Sequence, residues 1–154
     1  MAYSIKQQEN DMTTKETNPK DVIGSTKLPL HLFPTTAIAS GSLALLDGAM
    51  KYGRSNYRVA GVRASIYYDA SLRHLMKWFE GEDFDRESGL DHLGHALACI
   101  AILIDSKAAN KLTDDRMVAG GFLERSDEYN SKTNEIKNKY DNPNVKHYTK
   151  ADSD

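Results

Sequence analysis

Two stretches of helical periodicity, about Arg63 to Phe79 and about Ser88 to Ser106, stand either side of a single short acidic loop, and this arrangement constrains the chain more than any other. From Glu80 to Glu87 five of eight residues are acids: Glu80, Glu82, Asp83, Asp85 and Glu87. Their mutual repulsion has to be offset by a partner, and a divalent cation is the simplest one. Three of the five histidines, His74, His92 and His95, flank the same loop. Oxygen ligands suit hard cations such as Mg²⁺ or Mn²⁺, and imidazole shifts the preference toward Mn²⁺ and softer metals. A carboxylate-rich loop between two buried helices therefore reads as a metal-dependent site, with a simple soluble turn as the alternative.

The faces of the second of these helices sharpen that reading. At about 100° per residue, Leu90, Leu93, Leu97, Ile100 and Ile104 form one stripe, while Glu87, Asp91 and His95 lie opposite and His92 on the flank. Beyond His95 the polar side disappears, because Ala98, Cys99 and Ile102 are apolar as well, so burial on all sides is expected. Ser88 is the candidate cap. Asp91, His92 and His95 then sit at the mouth of a buried helix, near its positive end, where an anion is favoured. The alternative is a pair of ordinary hydrogen-bonded core histidines, since His-x-x-His alone is a weak signal. On the preceding helix Asp69, Arg73, Lys77 and Glu80 share a face that reads as solvated. His74 lies off that face beside Tyr67 and Trp78, either half-buried and pointing at the next helix or simply packed among aromatics.

Upstream, a helix is expected over Thr35 to Tyr52, ended by Gly53, and then a polar connection from Arg54 to Val62. The run Lys51-Tyr52-Gly53-Arg54-Ser55-Asn56-Tyr57 gathers cations, an amide and aromatics at a helix end, groups suited to holding phosphate and stacking a base, with a plain polar helix-terminus loop as the alternative. Residues 1–18 are polar and read as loosely attached, and the prolines at 19, 29 and 34 mark an irregular leader. A further short helix is expected over Thr113 to Tyr129, interrupted at Gly120-Gly121. From Ser131 on the chain reads as a flexible tail or an arm for a neighbouring subunit. Strand alternation and internal repeats are absent, so the expected class is all-α, a small helical bundle over 19–130.

With 154 residues the chain has room for one core, and a net charge of −2 argues against a whole-surface nucleic-acid binder. The single cysteine, Cys99, excludes an internal disulfide and a multi-cysteine zinc site, and reads as a buried inert thiol. Nothing resembles a signal peptide, and the longest apolar run, Ala96 to Ile104, is too short to span a bilayer. A soluble protein of a reducing compartment, without membrane or nucleic-acid partners, is expected. There is no phosphate-binding Gly-x-x-x-x-Gly-Lys-Ser/Thr loop, no His-Glu-x-x-His, no His-Asp dyad and no Gly-x-Ser-x-Gly elbow. The enzyme class left standing is an all-α, metal-dependent phosphoanhydride hydrolase.

The segments LPLHLFPTTA, GAMKYGRSNY, LRHLMKWFEGEDFDRESGL and DHLGHALACIAILID together resemble the phage dATP/dGTP diphosphohydrolase family, and within it the MazG-related, MazZ-type enzymes of phages that replace adenine with 2-aminoadenine. The similarity runs from about Lys20 to Ser106. It implies an oligomeric (dimer or tetramer), MazG-like helical bundle that uses Mg²⁺ or Mn²⁺, two or more ions. The implied reaction cuts a purine deoxynucleoside triphosphate between the α and β phosphates. In the 2-aminoadenine phages dGTP is favoured, with GTP and dATP as further candidates, and dGMP feeds synthesis of the modified purine nucleotide. The site of action would be the host-cell cytoplasm.

The wider MazG group carries Glu-Glu-x-x-Glu and Glu-x-x-Asp helices. Here the first is absent, and Asp91, His92 and His95 stand where the second is expected. The resemblance then implies Glu82, Asp85, Glu87, Asp91, His92 and His95 as metal ligands. Glu82, Asp83 and Glu87 are the catalytic candidates, one of the loop acids taking the proton of the attacking water. His74 would support a ligand or touch phosphate. Lys51, Arg54, Asn56 and Arg73 would serve the phosphates, and Tyr52, Tyr57 or Trp78 would lie against the base. The rival reading is a non-catalytic, oligomeric phage accessory protein that binds metal or nucleotide without turnover.

Overall fold

The computed structural model describes residues 18–141 and 145–153, and the chain divides at Pro34 into two compact units. The expected loose N-terminal segment lies, apart from Asn18, outside the described residues. In the first unit a short helix α1, Pro19–Gly24, begins where the sequence reading placed irregular chain. Proline is compatible with the first helical position, where its missing N–H costs nothing, and the Asn18 side chain caps the turn by accepting from the Lys20 N–H at 3.0 Å. A 3₁₀ turn follows at Leu30–Leu32.

The second unit is built on three long helices: α2 (Thr35–Tyr52), α4 (Ala64–Phe79) and α5 (His92–Ala108). Helix α5 is the hub, packing against both α2 and α4. The expected loop after α2 contains a short helix, α3 (Asn56–Ala60), entered through Ser55 at φ 57°. Arg58 on α3 holds Asp105 on α5 through two bonds of 2.7 and 2.6 Å. Two strands that no alternation foretold, β1 (Val62–Arg63) and β2 (Leu112–Thr113), pair in parallel with Val62 opposite Leu112. Each is only two residues long, too short to leave a period-2 pattern. The Val62 N–H donates to the Lys111 carbonyl at 2.9 Å, tying the chain entering α4 to the chain leaving α5. Past irregular chain, α6 occupies Ser126–Lys137 rather than the stretch around Gly120-Gly121. A last 3₁₀ turn, Lys150–Asp152, is capped by Thr149, and Lys150 Nζ donates to the Gly81 carbonyl at 3.2 Å.

The core is made of small side chains. Ala44, Val62, Ala64, Ala96 and Ala98 are its buried apolar residues, joined by Gly41, Gly94, Ser71, Ser106 and His92. Small residues let backbones approach closely. A Cβ on Gly94 would lie 2.8 Å from the Ser40 carbonyl oxygen of α2, and one on Gly41 would lie 3.1 Å from Leu97 Cδ2. The expectation that α5 is buried all round is therefore corrected. The stripe that includes Leu93, Ile100 and Ile104 stays partly open, with Ile104 67% exposed, because α2 and α4 meet α5 through its alanines and glycine instead. Helix α2 leaves Met50 80% exposed, and α4 leaves Phe79 83% exposed.

Candidate functional site

The acidic loop does not splay into solvent. After α4 the Gly81 N–H bonds the Trp78 carbonyl and the Glu82 N–H the Lys77 carbonyl, so the helix ends in a tight turn with Gly81 at φ 96°. The chain then doubles back on itself. The Asp85 N–H donates to the Leu90 carbonyl at 2.8 Å, the Gly89 N–H to the Asp85 carbonyl at 2.8 Å, and Phe84 pairs with Asp91 in an antiparallel bridge. This bridge keeps the chain extended through Asp91 (ψ 129°), so α5 starts at His92 and not after Ser88. Asp91, not Ser88, is the cap, its Oδ1 accepting from the Leu93 N–H at 2.7 Å.

Doubling back points Asp85 inward. Its Oδ2 accepts from the Ser88 N–H and from the Ser88 hydroxyl, both at 3.0 Å, and Lys77 Nζ stands 3.8 Å from Oδ1. The Ser88 amide, more than any other group, holds the Asp85 carboxyl below its ordinary range. From α4, His74 meets both histidines of α5. Its Nδ1 is 2.8 Å from His92 Nδ1, and its ring stacks on His95 with centroids 4.7 Å apart. Burial, then repulsion from His95 and His92, lowers the His74 pKa. One donor atom from each of His74, Asp85 and His92 lies within 4.8 Å of the others, a spacing that accommodates one metal ion.

His92 is fully buried, and its Nε2 lies 3.6 Å from Glu82 Oε1. Both atoms are enclosed and neither has a hydrogen-bond partner among the described residues. Two bare lone pairs facing each other in an enclosed space would repel, so the proton of neutral His92 belongs on Nε2, toward Glu82. Its Nδ1 is then the acceptor from His74 Nδ1–H. Imidazole ligands of metals ordinarily send their other N–H to a carboxylate in this way. The donor set thus fits a divalent cation held by nitrogen and oxygen.

The cluster opens on a cleft of about 340 Å³ between α2, α4 and α5, lined at the polar end by His74, Asp85, Glu87 and His95. Lys51, Tyr52, Asn56 and Tyr57 from the end of α2 and the start of α3 line it too, so the upstream run and the acidic loop meet across one space. Its apolar wall comes from Ala44, Leu45, Ala98 and Ile102. Lys51 Nζ sits between Asp47 Oδ2 at 2.9 Å and Glu87 Oε1 at 3.4 Å, and the bond to Asp47 is the main reason its ammonium is held charged more firmly than usual.

Other residues singled out from sequence lie elsewhere. Asp83 is exposed, and only its backbone carbonyl engages α5, accepting from the His92 N–H at 3.0 Å. Arg54 and Arg73 are exposed and do not line the cleft, and Trp78 lines a separate depression with Leu75, Met76 and Phe79. Asp91 is engaged as the cap, and Glu82 lies beneath His92 rather than in the cleft. Asp47, Tyr67 and Cys99 join the cleft without having been proposed for it. Only the i, i+4 spacing of Asp47 and Lys51 carried a signal that could have found one of them. Burial raises both the Tyr67 hydroxyl and the Cys99 thiol pKa.

No solved structure is significantly similar to this chain. A dATP/dGTP diphosphohydrolase of Salmonella phage PMBT28 is 30% identical over 90 residues. That alignment takes in 58% of this chain and only 30% of the phage protein, so the chain spans under a third of its relative. The family model described as dATP/dGTP diphosphohydrolase, N-terminal, matches residues 17–116. That range holds the cleft, the folded-back loop and all three clustered histidines, and the chain belongs to the dATP/dGTP diphosphohydrolase N-terminal family.

Proposed function

We propose that this chain is a metal-dependent deoxynucleoside triphosphate diphosphohydrolase that releases pyrophosphate from a purine substrate. The observation that carries the reading is the convergence of His74, Asp85 and the buried His92, the first two of which line the cleft that also receives Lys51, Asn56, Tyr52 and Tyr57. The similarity to a phage dATP/dGTP diphosphohydrolase supports a dATP or dGTP substrate.

His74 Nδ1, His92 Nδ1 and an Asp85 oxygen would hold the cation, Mg²⁺ or Mn²⁺, with Glu87 and His95 on the cleft side as candidate ligands of a second ion. A bound divalent cation supplies phosphate charge neutralisation and a more acidic water. To ligate through Nδ1, His74 would carry its one ring proton on Nε2 instead, and its lowered pKa favours the neutral ring that this requires. Glu82 holds His92 with Nε2 protonated, which leaves Nδ1 free to ligate. Lys51 exchanges Asp47 and Glu87 for phosphate oxygens, and Asn56 adds an amide donor. Tyr52 and Tyr57 flank the base against the apolar wall. Glu87, released from Lys51, stands as the acid that takes the proton of the attacking water at the α-phosphorus.

The finer reading is a MazG-like bundle that prefers dGTP and provides dGMP for a 2-aminoadenine nucleotide. It acts as a dimer or tetramer, a reading supported by the exposure of Met50, Phe79 and Ile104, apolar side chains that a second copy would cover. Anion-exchange separation of products from the eight common nucleoside triphosphates with Mn²⁺ or Mg²⁺ tests the reaction. Monophosphate and pyrophosphate from dGTP or dATP are expected, and lost in His74→Ala and Asp85→Asn. Absence of turnover on all eight would replace the enzyme with the metal- or nucleotide-binding accessory protein. Light scattering of the same samples reads the subunit number.

A further inference from the structure

Ser88 has three hydrogen-bonding neighbours besides its own backbone, and its hydroxyl can satisfy them in only one consistent way. Oγ lies 3.0 Å from Asp85 Oδ2, 2.8 Å from His95 Nε2, and 3.2 Å from the Leu90 nitrogen, whose N–H it accepts. A hydroxyl has one proton and two lone pairs. The ionised Asp85 carboxylate can only accept, so the proton goes to it. The Leu90 N–H takes one lone pair. The remaining lone pair faces His95, and that contact is attractive only if Nε2 carries a hydrogen.

We infer that Ser88 is a positioning residue of the site, which fixes the aim of Asp85 and locks neutral His95 as the Nε2–H tautomer, leaving His95 Nδ1 bare. No hydrogen bond reaches His95 Nδ1 among the described residues, and it is not among the enclosed unpaired atoms, so it is open to an incoming group. His95 itself lines the cleft and stacks on His74. Ser88 therefore presents an unprotonated nitrogen on a cleft-lining ring that stacks against His74. The same hydroxyl connects an acid of the loop to a ring of α5, so Asp85 and His95 keep their separation as one unit. This assignment deepens the metal-dependent reading above and rests on it for its role, while the tautomer can be read without metal or turnover.

The test is long-range ¹H–¹⁵N correlation of histidine-labelled, metal-free full chain at about pH 8, where imidazoles are neutral. His95 should give a protonated Nε2 and a bare Nδ1. Ser88→Ala should turn this into a mixture with a substantial Nδ1–H population, and Ser88→Thr, which keeps the hydroxyl, should restore the wild-type pattern. Mn²⁺ titration followed by water-proton relaxation should show ~10-fold or greater weakening in Ser88→Ala and near-complete rescue in Ser88→Thr. A wild-type His95 with Nδ1 protonated overturns the assignment, and needs no variant to fold. So does an unchanged tautomer in folded Ser88→Ala. A wild-type chain that shows the lock but hydrolyses no triphosphate supports the Ser88 assignment and removes the diphosphohydrolase reading instead.

Discussion

Replacing Gly94 by alanine probes the close crossing on which the site depends. A methyl at this position meets the Ser40 hydroxyl and lies 2.8 Å from the Ser40 carbonyl oxygen and 3.1 Å from its carbon. The hydroxyl can rotate away, but the backbone cannot, so α5 has to move off α2 by several tenths of an ångström. Overpacking of this kind costs about 1–3 kcal/mol, and contact with backbone places it near the upper end, about 3. Alanine returns about 1 kcal/mol through its better helix propensity. The net loss is about 2 kcal/mol, or roughly 4–8 °C in melting temperature for a chain of this length. Differential scanning calorimetry reads it. Gly48 is the matched control, since a methyl there has nothing within 4 Å, and Gly48→Ala should raise stability by up to about 1 kcal/mol. Gly48 also lines the cleft, so this gain should come with a higher KM for triphosphate. If Gly94→Ala matched or exceeded wild type in stability, the tight α2–α5 crossing would be wrong. Adding Ser40→Ala to Gly94→Ala should recover only part of the loss, because the carbonyl contact remains.

Asp91→Ala should cost about 1 kcal/mol by removing the α5 cap while leaving Mn²⁺ affinity nearly unchanged. A collapse of Mn²⁺ binding, seen by calorimetric titration, would instead make Asp91 a ligand. His74 has a folded-state pKa below its ordinary 6.5, so the unfolded chain binds its proton first as the solution is acidified. Its contribution is full above pH 6.5 and is lost as pH falls from there toward the folded value, so urea midpoints should drop on going from about pH 7 to pH 5. His74→Gln should flatten that slope, and an unaltered slope would deny the shift. Asp85, depressed below 3.8, adds a separate loss only in the more acid range.

Helical periodicity placed α2 and α4 closely, since both end where a glycine with positive φ, Gly53 or Gly81, lets the chain turn away. It placed the start of α5 three residues early. Serine and aspartate are both good caps, and what decided between Ser88 and Asp91 was the Phe84–Asp91 bridge, a nonlocal pairing that keeps the intervening chain extended. The chemistry was legible to a similar depth. Asp85, His92 and His95 stood out by residue type and spacing, but the contact of His74 with His92 depends on how α4 crosses α5. The acids that looked equivalent along the loop separate once it doubles back: Asp85 turns in, Asp83 turns out, and Glu82 goes under His92. Ser88 gave no signal beyond capping, because its partners are seven residues ahead and three behind. Periodicity showed the apolar stripe of α5 but not what covers it, and among the described residues Leu93, Ile100 and Ile104 stay partly open.

The folded-back loop also bears on how fast an ion would come and go at the proposed metal site. In a calcium-binding helix–loop–helix the flexible loop wraps its oxygens around the ion, so ordering of the chain accompanies capture. Here the backbone of residues 80–92 is already fastened at Lys77, Asp83, Asp85 and Leu90, and Asp85 and the histidines are braced before any ion arrives. Little chain entropy is left to lose on binding. Entry should then be paced by how readily the hydrated ion sheds water, and choice among ions by that rate and by the fixed spacing of the donors. On that basis Mn²⁺, which accepts imidazole nitrogen more readily than Mg²⁺, should exchange into the site faster as well as bind it more tightly.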